Sequence, residues 1–277
     1  MRIAILLTVY NRIGTTKECL NKLHLLSTPT LEVNVYVVDG GSTDGTQEML
    51  NIDFPSVLSR VQEGAYWNQG MLHAWQWASN QNYDFYIWMN DDVDLSENWL
   101  CQLMELYGSV EPKSIVVGKI VDKTTGSKIY GALYRKKGLS KINFTTSSKS
   151  TVKIDTFNGN CVLIPDCTFR ELGFLNSAYS HSFGDIDYGL RASKSGIRIW
   201  ETTTPVGSST KSETIYSGDF LHAPSFQEIF SPKGVPPTEW FKFCKSFGGV
   251  LWPVNFIYRY IKLLNKICVG GKNQNGF

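Results

Sequence analysis

Residues 84–94 read Asp84-Phe85-Tyr86-Ile87-Trp88-Met89-Asn90-Asp91-Asp92-Val93-Asp94. The apolar run Asp84–Met89 predicts a buried strand, and the sequence turns polar at its end. Three carboxylates within five residues follow it. The bland reading is a solvated acidic turn leading into the next helix. A position directly beyond a buried strand favours the sharper one, because ligands bind outside the carboxyl ends of strands in open α/β sheets and acidic clusters there bear on chemistry.

Working outward, the chain alternates short apolar runs with helical spacing. Ile3–Val9 and Val33–Val38 read as strands, with helices at Thr15–Leu26, Gly45–Asn51 and Trp67–Ser79. Ser96 is a candidate cap for a helix reaching Tyr107. The β-α-β-α order predicts an α/β fold with a mainly parallel, Rossmann-like sheet between two helical layers. From Ser114 the pattern shifts to strands at Ser114–Ile120, Lys128–Tyr134, Val152–Phe157 and Cys161–Ile164. Helices Asp166–Leu172 and Asp185–Ser195 and a strand Ile197–Thr203 follow, then an aromatic and basic helical tail. These shifts divide the chain into 1–112, 113–225 and 226–277.

Composition narrows the class. With 277 residues, 42% hydrophobic and 19% charged, the chain is globular and buries a sizeable core. A net charge of +2 gives no footprint for nucleic acid. The densest basic stretch is Arg135-Lys136-Lys137 with Lys141 and Lys149, read as a solvated loop or as a contact for an anionic acceptor or membrane. Six cysteines form no CxxC pair, so a reduced, cytoplasmic setting is expected. Near the C-terminus, Arg259, Lys262 and Lys266 recur at helical spacing among apolar residues. No run of about 20 uncharged apolar residues exists to span a bilayer. The segment 240–267 therefore reads either as an amphipathic helix lying on the inner face of a membrane or as a helix packed on the core. Self-association is left open.

Four strand ends finish in polar or glycine-rich sequence: Thr8-Val9-Tyr10-Asn11-Arg12, Val37-Val38-Asp39-Gly40-Gly41-Ser42-Thr43-Asp44-Gly45-Thr46, Trp67-Asn68-Gln69-Gly70 and Asn90-Asp91-Asp92-Val93-Asp94. In this order they resemble the nucleotide-binding half of glycosyltransferase family 2. Gly159 to Trp200 resembles that family's acceptor half, so the likeness covers roughly residues 1–205. The Ser231-Pro232-Lys233-Gly234 segment and aromatic tail resemble tails of some bacterial members. The resemblance implies the GT-A fold, a nucleotide-diphosphate sugar donor, a divalent metal (Mn²⁺ or Mg²⁺) and inversion at the anomeric carbon. By the same analogy, the acceptor is a glycan or lipid-linked glycan of a bacterial surface polysaccharide.

Carried over by position, the resemblance makes Asp39 a contact for the base. Thr8, Tyr10 and Asn11 line the nucleotide pocket, and Asn68 and Gly70 open a helix that approaches the donor. Asn90-Asp91-Asp92 falls on the family's acidic motif, with Asn90 in place of the first carboxylate. Asp92 is then the metal ligand, and Asp91 a ribose or supporting contact. His222 is a further candidate metal ligand without a clear motif around it. The usual Glu of the acidic helix start is Gly184 here, and Asp185 falls on the catalytic position as general base. Positions two apart on a helix are about 200° apart, so Asp187 faces elsewhere, paired with Arg191 at i, i+4. His181 lies close enough in sequence to touch the acceptor. Two other classes compete: a sugar nucleotidyltransferase, which would need a glycine-rich loop after the first strand, and an inactive carbohydrate- or nucleotide-binding protein on the same fold.

Overall fold

A computed structural model of the chain describes residues 1–23, 26–146, 153–210 and 225–270, with side chains up to 265. The first half is β1 (Arg2–Val9), α1 (Ile13–Leu23), β2 (Glu32–Asp39), α2 (Thr46–Asp53), β3 (Leu58–Val61), α3 (Trp67–Ala78) and β4 (Phe85–Met89). The order continues with β5 (Asp94–Leu95), α4 (Trp99–Gly108), β6 (Ile115–Asp122), β7 (Lys128–Tyr130), β8 (Ala132–Arg135), β9 (Phe144–Thr145), β10 (Thr156–Phe157) and β11 (Cys161–Pro165). It closes with α5 (Asp166–Leu172), α6 (Gly184–Lys194), β12 (Ile199–Ser209), α7 (Phe226–Phe230), α8 (Pro237–Phe247), a 3₁₀ turn (Gly249–Leu251) and α9 (Trp252–Gly270).

The main sheet runs β3-β2-β1-β4-β11-β6-β12-β5, with β7 beside β6. It is parallel through its first four strands. β11 then enters antiparallel to both β4 and β6, an antiparallel insertion in a sheet whose longest pairings are parallel. The reason is the route of the chain. It leaves β6 at the edge where β4 ends, builds β7–β10 there, and turns straight back as β11, whereas a parallel neighbour requires a crossover. The β10-β8-β9 sheet consequently stands at the edge where β1, β2 and β4 end.

Alternation in the strands assigns residues to two cores. In β1, Ile3, Ile5 and Leu7 join a cluster with Leu20 and Leu50 of α1 and α2 and with Leu103 of α4. Ala4 and Leu6 face the other way, onto Met71 and Trp75 of α3, as the period of two requires. Trp75 meets Trp88 edge-on at 5.3 Å. A third cluster joins Tyr179 and Phe183 to Trp240, Phe243 and Leu263 of the tail.

Several sequence expectations shift. The α4 helix is capped at Asn98, not Ser96, and without a side-chain bond. The α2 cap is Gly45 at φ 88°, without a side-chain bond. The stretch 128–134 breaks into two strands at Gly131. The short strands β3, β5 and β9 were too brief to show a period.

Candidate active site

β1, β2 and β4 deliver their last residues to one edge, where two loops interlock. Asp39 ends β2 fully buried. Its Oδ1 accepts from the Gly41 and Ser42 N–H groups (3.1 and 2.8 Å) and the Ser42 hydroxyl (2.7 Å). Its Oδ2 is buried without a hydrogen-bond partner. One oxygen therefore folds the loop, and the other is an orphaned acceptor beneath it. Asn11, at φ 50°, ties the β1 loop to the β2 loop: its N–H donates to Ser42 Oγ (2.8 Å), and its Oδ1 accepts from Thr43 N–H (2.8 Å). Gly41 at φ 95° makes the turn without the strain a side chain would add. Tyr10 is half exposed and Thr8 is buried.

The β4 end carries a charge arrangement that the sequence did not single out. Arg12, from the β1 loop, reaches both acidic side chains. Its Nη2 pairs with Asp91 Oδ1, and its Nη1 lies 3.5 Å from Asp92 Oδ2. Asp91 is buried, and its Oδ2 accepts from the Thr16 hydroxyl at 2.8 Å. Burial pushes its carboxyl up to about 6, against the pull of Arg12 and Thr16. Asp91 thus anchors α1 to β4. Asp92 remains one-third exposed, and its Oδ1 has no hydrogen-bond partner. Among the described residues no three His, Cys, Asp or Glu side chains form a metal cage. A lone available carboxylate still suits Mg²⁺ or Mn²⁺ in phosphate sites, where one or two carboxylates are completed by phosphate and water. Asp94, for which the sequence suggested no role, pairs with Lys22 and Lys123.

Trp67, at the start of α3, connects this corner to Asp185. Its indole Nε1 donates to Asn90 Oδ1 at 2.8 Å. Its ring lies against Gly159, where a Cβ would fall 2.5 Å from the ring and 3.2 Å from Asp185 Cβ. The Gly159 N–H donates to Asp185 Oδ2 (2.9 Å), and the Ile186 N–H to Oδ1 (2.8 Å). Burial raises Asp185 to about 6, with these N–H groups opposing. A carboxylate poised there serves as a base near neutrality. His181 Nδ1 accepts from the Trp67 N–H at 3.4 Å. Burial, then Lys233 and Arg12, lower it to about 4, so it is a neutral acceptor.

The remaining expected residues lie behind this surface. Asn68 is fully buried, and its Nδ2 donates to the carbonyls of Asn176 and Tyr179 (3.0 and 2.7 Å). It tethers the loop before α6 instead of presenting an amide to the cleft. Asn68 also fills the space beside Gly184, which leaves no room for a Glu there. Gly70 lets α3 close onto Thr8 of β1. Asp187 pairs with Arg191 at 2.7 Å, and Arg191 donates to the carbonyls of Leu172 and Phe174, the structural role expected of it. His222 lies outside the described residues.

The fold is that of the GT-A glycosyltransferases. A profile of glycosyl transferase family 2 matches residues 4–166, more than half of the chain, which belongs to that family. No curated protein matches the sequence. Among solved structures, TarS 1–349 of S. aureus in complex with UDP-GlcNAc superposes with a TM-score of 0.57 at 14% identity, over 96% of this chain and 72% of that one. In a longer TarS structure the chain spans 43% of the length. The mannosyltransferase PcManGT of Pyrobaculum calidifontis, with GDP-Man and Mn²⁺, gives 0.52 at 14% identity, over 95% and 80% of the two chains. GalNAc-T7 with UDP, GalNAc and Mn²⁺ gives 0.56 at 10% identity, over 76% and 44%. Among the described residues no helix is long and apolar enough to cross a membrane.

Proposed function

We propose that the chain is an inverting glycosyltransferase. It moves a sugar from a UDP- or dTDP-sugar to a hydroxyl of a glycan or lipid-linked glycan, at the cytoplasmic face of the membrane. The observation that carries this reading is Asp185, raised to about 6 and linked through Gly159 and Trp67 to the acidic β4 end. The free Asp39 Oδ2 accepts from the imide N–H of uracil or thymine. Asp92, one-third exposed at the β4 end, would hold a divalent cation, with Asp91 and Arg12 fixing the loop behind it. That cation supplies charge neutralisation to the departing diphosphate.

Asp185 takes the proton of the acceptor hydroxyl as that oxygen attacks the anomeric carbon opposite the nucleotide. The two N–H groups hold its carboxylate in place while His181, neutral, stays an acceptor. The nucleotidyltransferase reading loses ground because the loop after β1, Tyr10-Asn11-Arg12-Ile13-Gly14, is not glycine-rich. Titration calorimetry with UDP and dTDP, with and without Mn²⁺, tests the donor reading, followed by a transfer screen over nucleotide-sugars. Metal-enhanced nucleotide binding is expected. No nucleotide binding in either condition would favour the inactive binding-protein alternative.

A further inference from the structure

The tail helix α9 has two apolar faces, and only one is covered. Trp252, Phe256, Tyr260 and Leu263 pack against the α8 cluster, and the Tyr260 hydroxyl donates to the Val235 carbonyl at 2.9 Å. On the opposite side, Val254 (60% exposed), Ile257 (57%), Ile261 (50%) and Leu264 (40%) stand in water, preceded by Val250 at 96%. At about 100° per residue these positions fall within one stripe. Scattered exposed aliphatics need no explanation, whereas a contiguous stripe of them marks a contact surface.

The charge around the stripe selects its partner. No Asp or Glu follows Glu239 in the sequence, while Lys242, Lys245 and Lys262 do, all three exposed. Lys262 is exposed on the same helix, about 100° round from Ile261. The basic loop 135–141 arrives at the same end of the helix: Lys141 lies against Gly249, where a Cβ would sit 3.3 Å from its Cδ. That loop carries Leu139 at 84% exposure between Lys136, Lys137 and Lys141. Two copies meeting through this face would oppose cation to cation. A surface of anionic headgroups over hydrocarbon satisfies both the lysines and the aliphatics.

We propose that the α9 stripe, with the 136–141 loop, docks the protein on an anionic lipid surface. The aliphatic side chains enter the headgroup–acyl boundary and the lysines stay at headgroup level. α8 links this face to the site, because Glu239 accepts from the Ser180 hydroxyl at 2.7 Å beside His181. The inference is independent of the donor assignment.

Flotation of the full chain with vesicles of phosphatidylcholine alone, and of phosphatidylcholine mixed with phosphatidylglycerol, tests it. Binding is expected only to the mixed vesicles, weakening as salt shortens the screening length from about 10 Å at 0.1 M to about 3 Å at 1 M. Ile257→Ser with Ile261→Ser should lower the partition coefficient at least about tenfold. Both side chains are exposed, so thermal unfolding of that variant should match the parent. Lys141→Glu with Lys262→Glu should abolish the preference for phosphatidylglycerol. A parent chain that stays out of the lipid fraction would overturn the proposal. So would double variants that bind as the parent does, or a lipid-free dimer dissolved by Ile261→Ser in light scattering.

Discussion

Replacing Asp185 with Asn separates the function of this residue from its cost to the fold. Asp185 has its pKa at about 6 against an ordinary 3.8 because burial disfavours its charge. A folded-state pKa above the unfolded one means that ionisation costs the native state more than the unfolded chain. Below both values the group is neutral in both states and the penalty vanishes; it grows as pH rises from about 4 to 6 and is complete at 7. At about 1.4 kcal/mol per unit the full penalty is roughly 3 kcal/mol. Asn removes it, but its single carbonyl oxygen accepts from only one of the two N–H donors of Gly159 and Ile186. The lost bond costs about 1 kcal/mol. Asp185→Asn should therefore be about 2 kcal/mol more stable than the parent at pH 7, a rise of roughly 4 °C in Tm. At pH 4 it should be slightly less stable. Transfer should fall by about 10² to 10⁴ with nucleotide affinity unchanged. In the parent, the rate at pH 5 should be about a tenth of its plateau, since about one base in eleven is ionised there. Calorimetric unfolding at both pH values and initial rates across pH provide the readouts. A Tm gain of equal size at pH 4 and pH 7 would refute the burial argument, and retained transfer would remove Asp185 as the base.

Three further perturbations address the surrounding contacts. Arg12→Ala leaves the buried Asp91 with Thr16 alone; because the guanidinium is partly exposed, a loss of about 2 kcal/mol is expected in urea unfolding, below the range for a fully buried pair. Asp92→Asn removes the available carboxylate while keeping its shape, and should weaken Mn²⁺ binding in the presence of UDP by about tenfold to a hundredfold, read by electron paramagnetic resonance; unchanged binding would move the metal elsewhere. Gly159→Ala places a methyl 2.5 Å from the Trp67 ring. A destabilisation of about 1–3 kcal/mol is expected, with red-shifted tryptophan fluorescence and reduced transfer as the Trp67–Asn90 bond opens.

What the sequence made legible follows the range of the forces involved. Strand and helix periods are local, so β1, β2, β4, α3 and the acidic β4 end could be read directly, and Asp187–Arg191 followed from helical geometry alone. The direction of β11 was not local: it depends on which edge the 123–160 excursion occupies, and no window of residues carries that. Asn68 was legible as a polar residue opening a helix, but its target, the carbonyls of Asn176 and Tyr179, lies more than 100 residues away. Arg12 was visible as a cation after the first strand. Its pairing with Asp91 appears only when β1 and β4 are neighbours.

Trp67 carries the least visible consequence. Its indole bonds Asn90 on one side and packs on Gly159 and its Asp185 contact on the other, so the two acidic corners cannot shift independently. Asn90 stands where a metal-binding carboxylate is expected, and its oxygen is already occupied by the indole N–H. An uncharged amide suffices for that bond. A carboxylate at 90 would accept it as well, while adding a third negative charge beside Asp91 and Asp92, which share the single guanidinium of Arg12. The absence of charge at 90 thus follows from the site's own electrostatics, and it concentrates any cation binding by this acidic turn on Asp92.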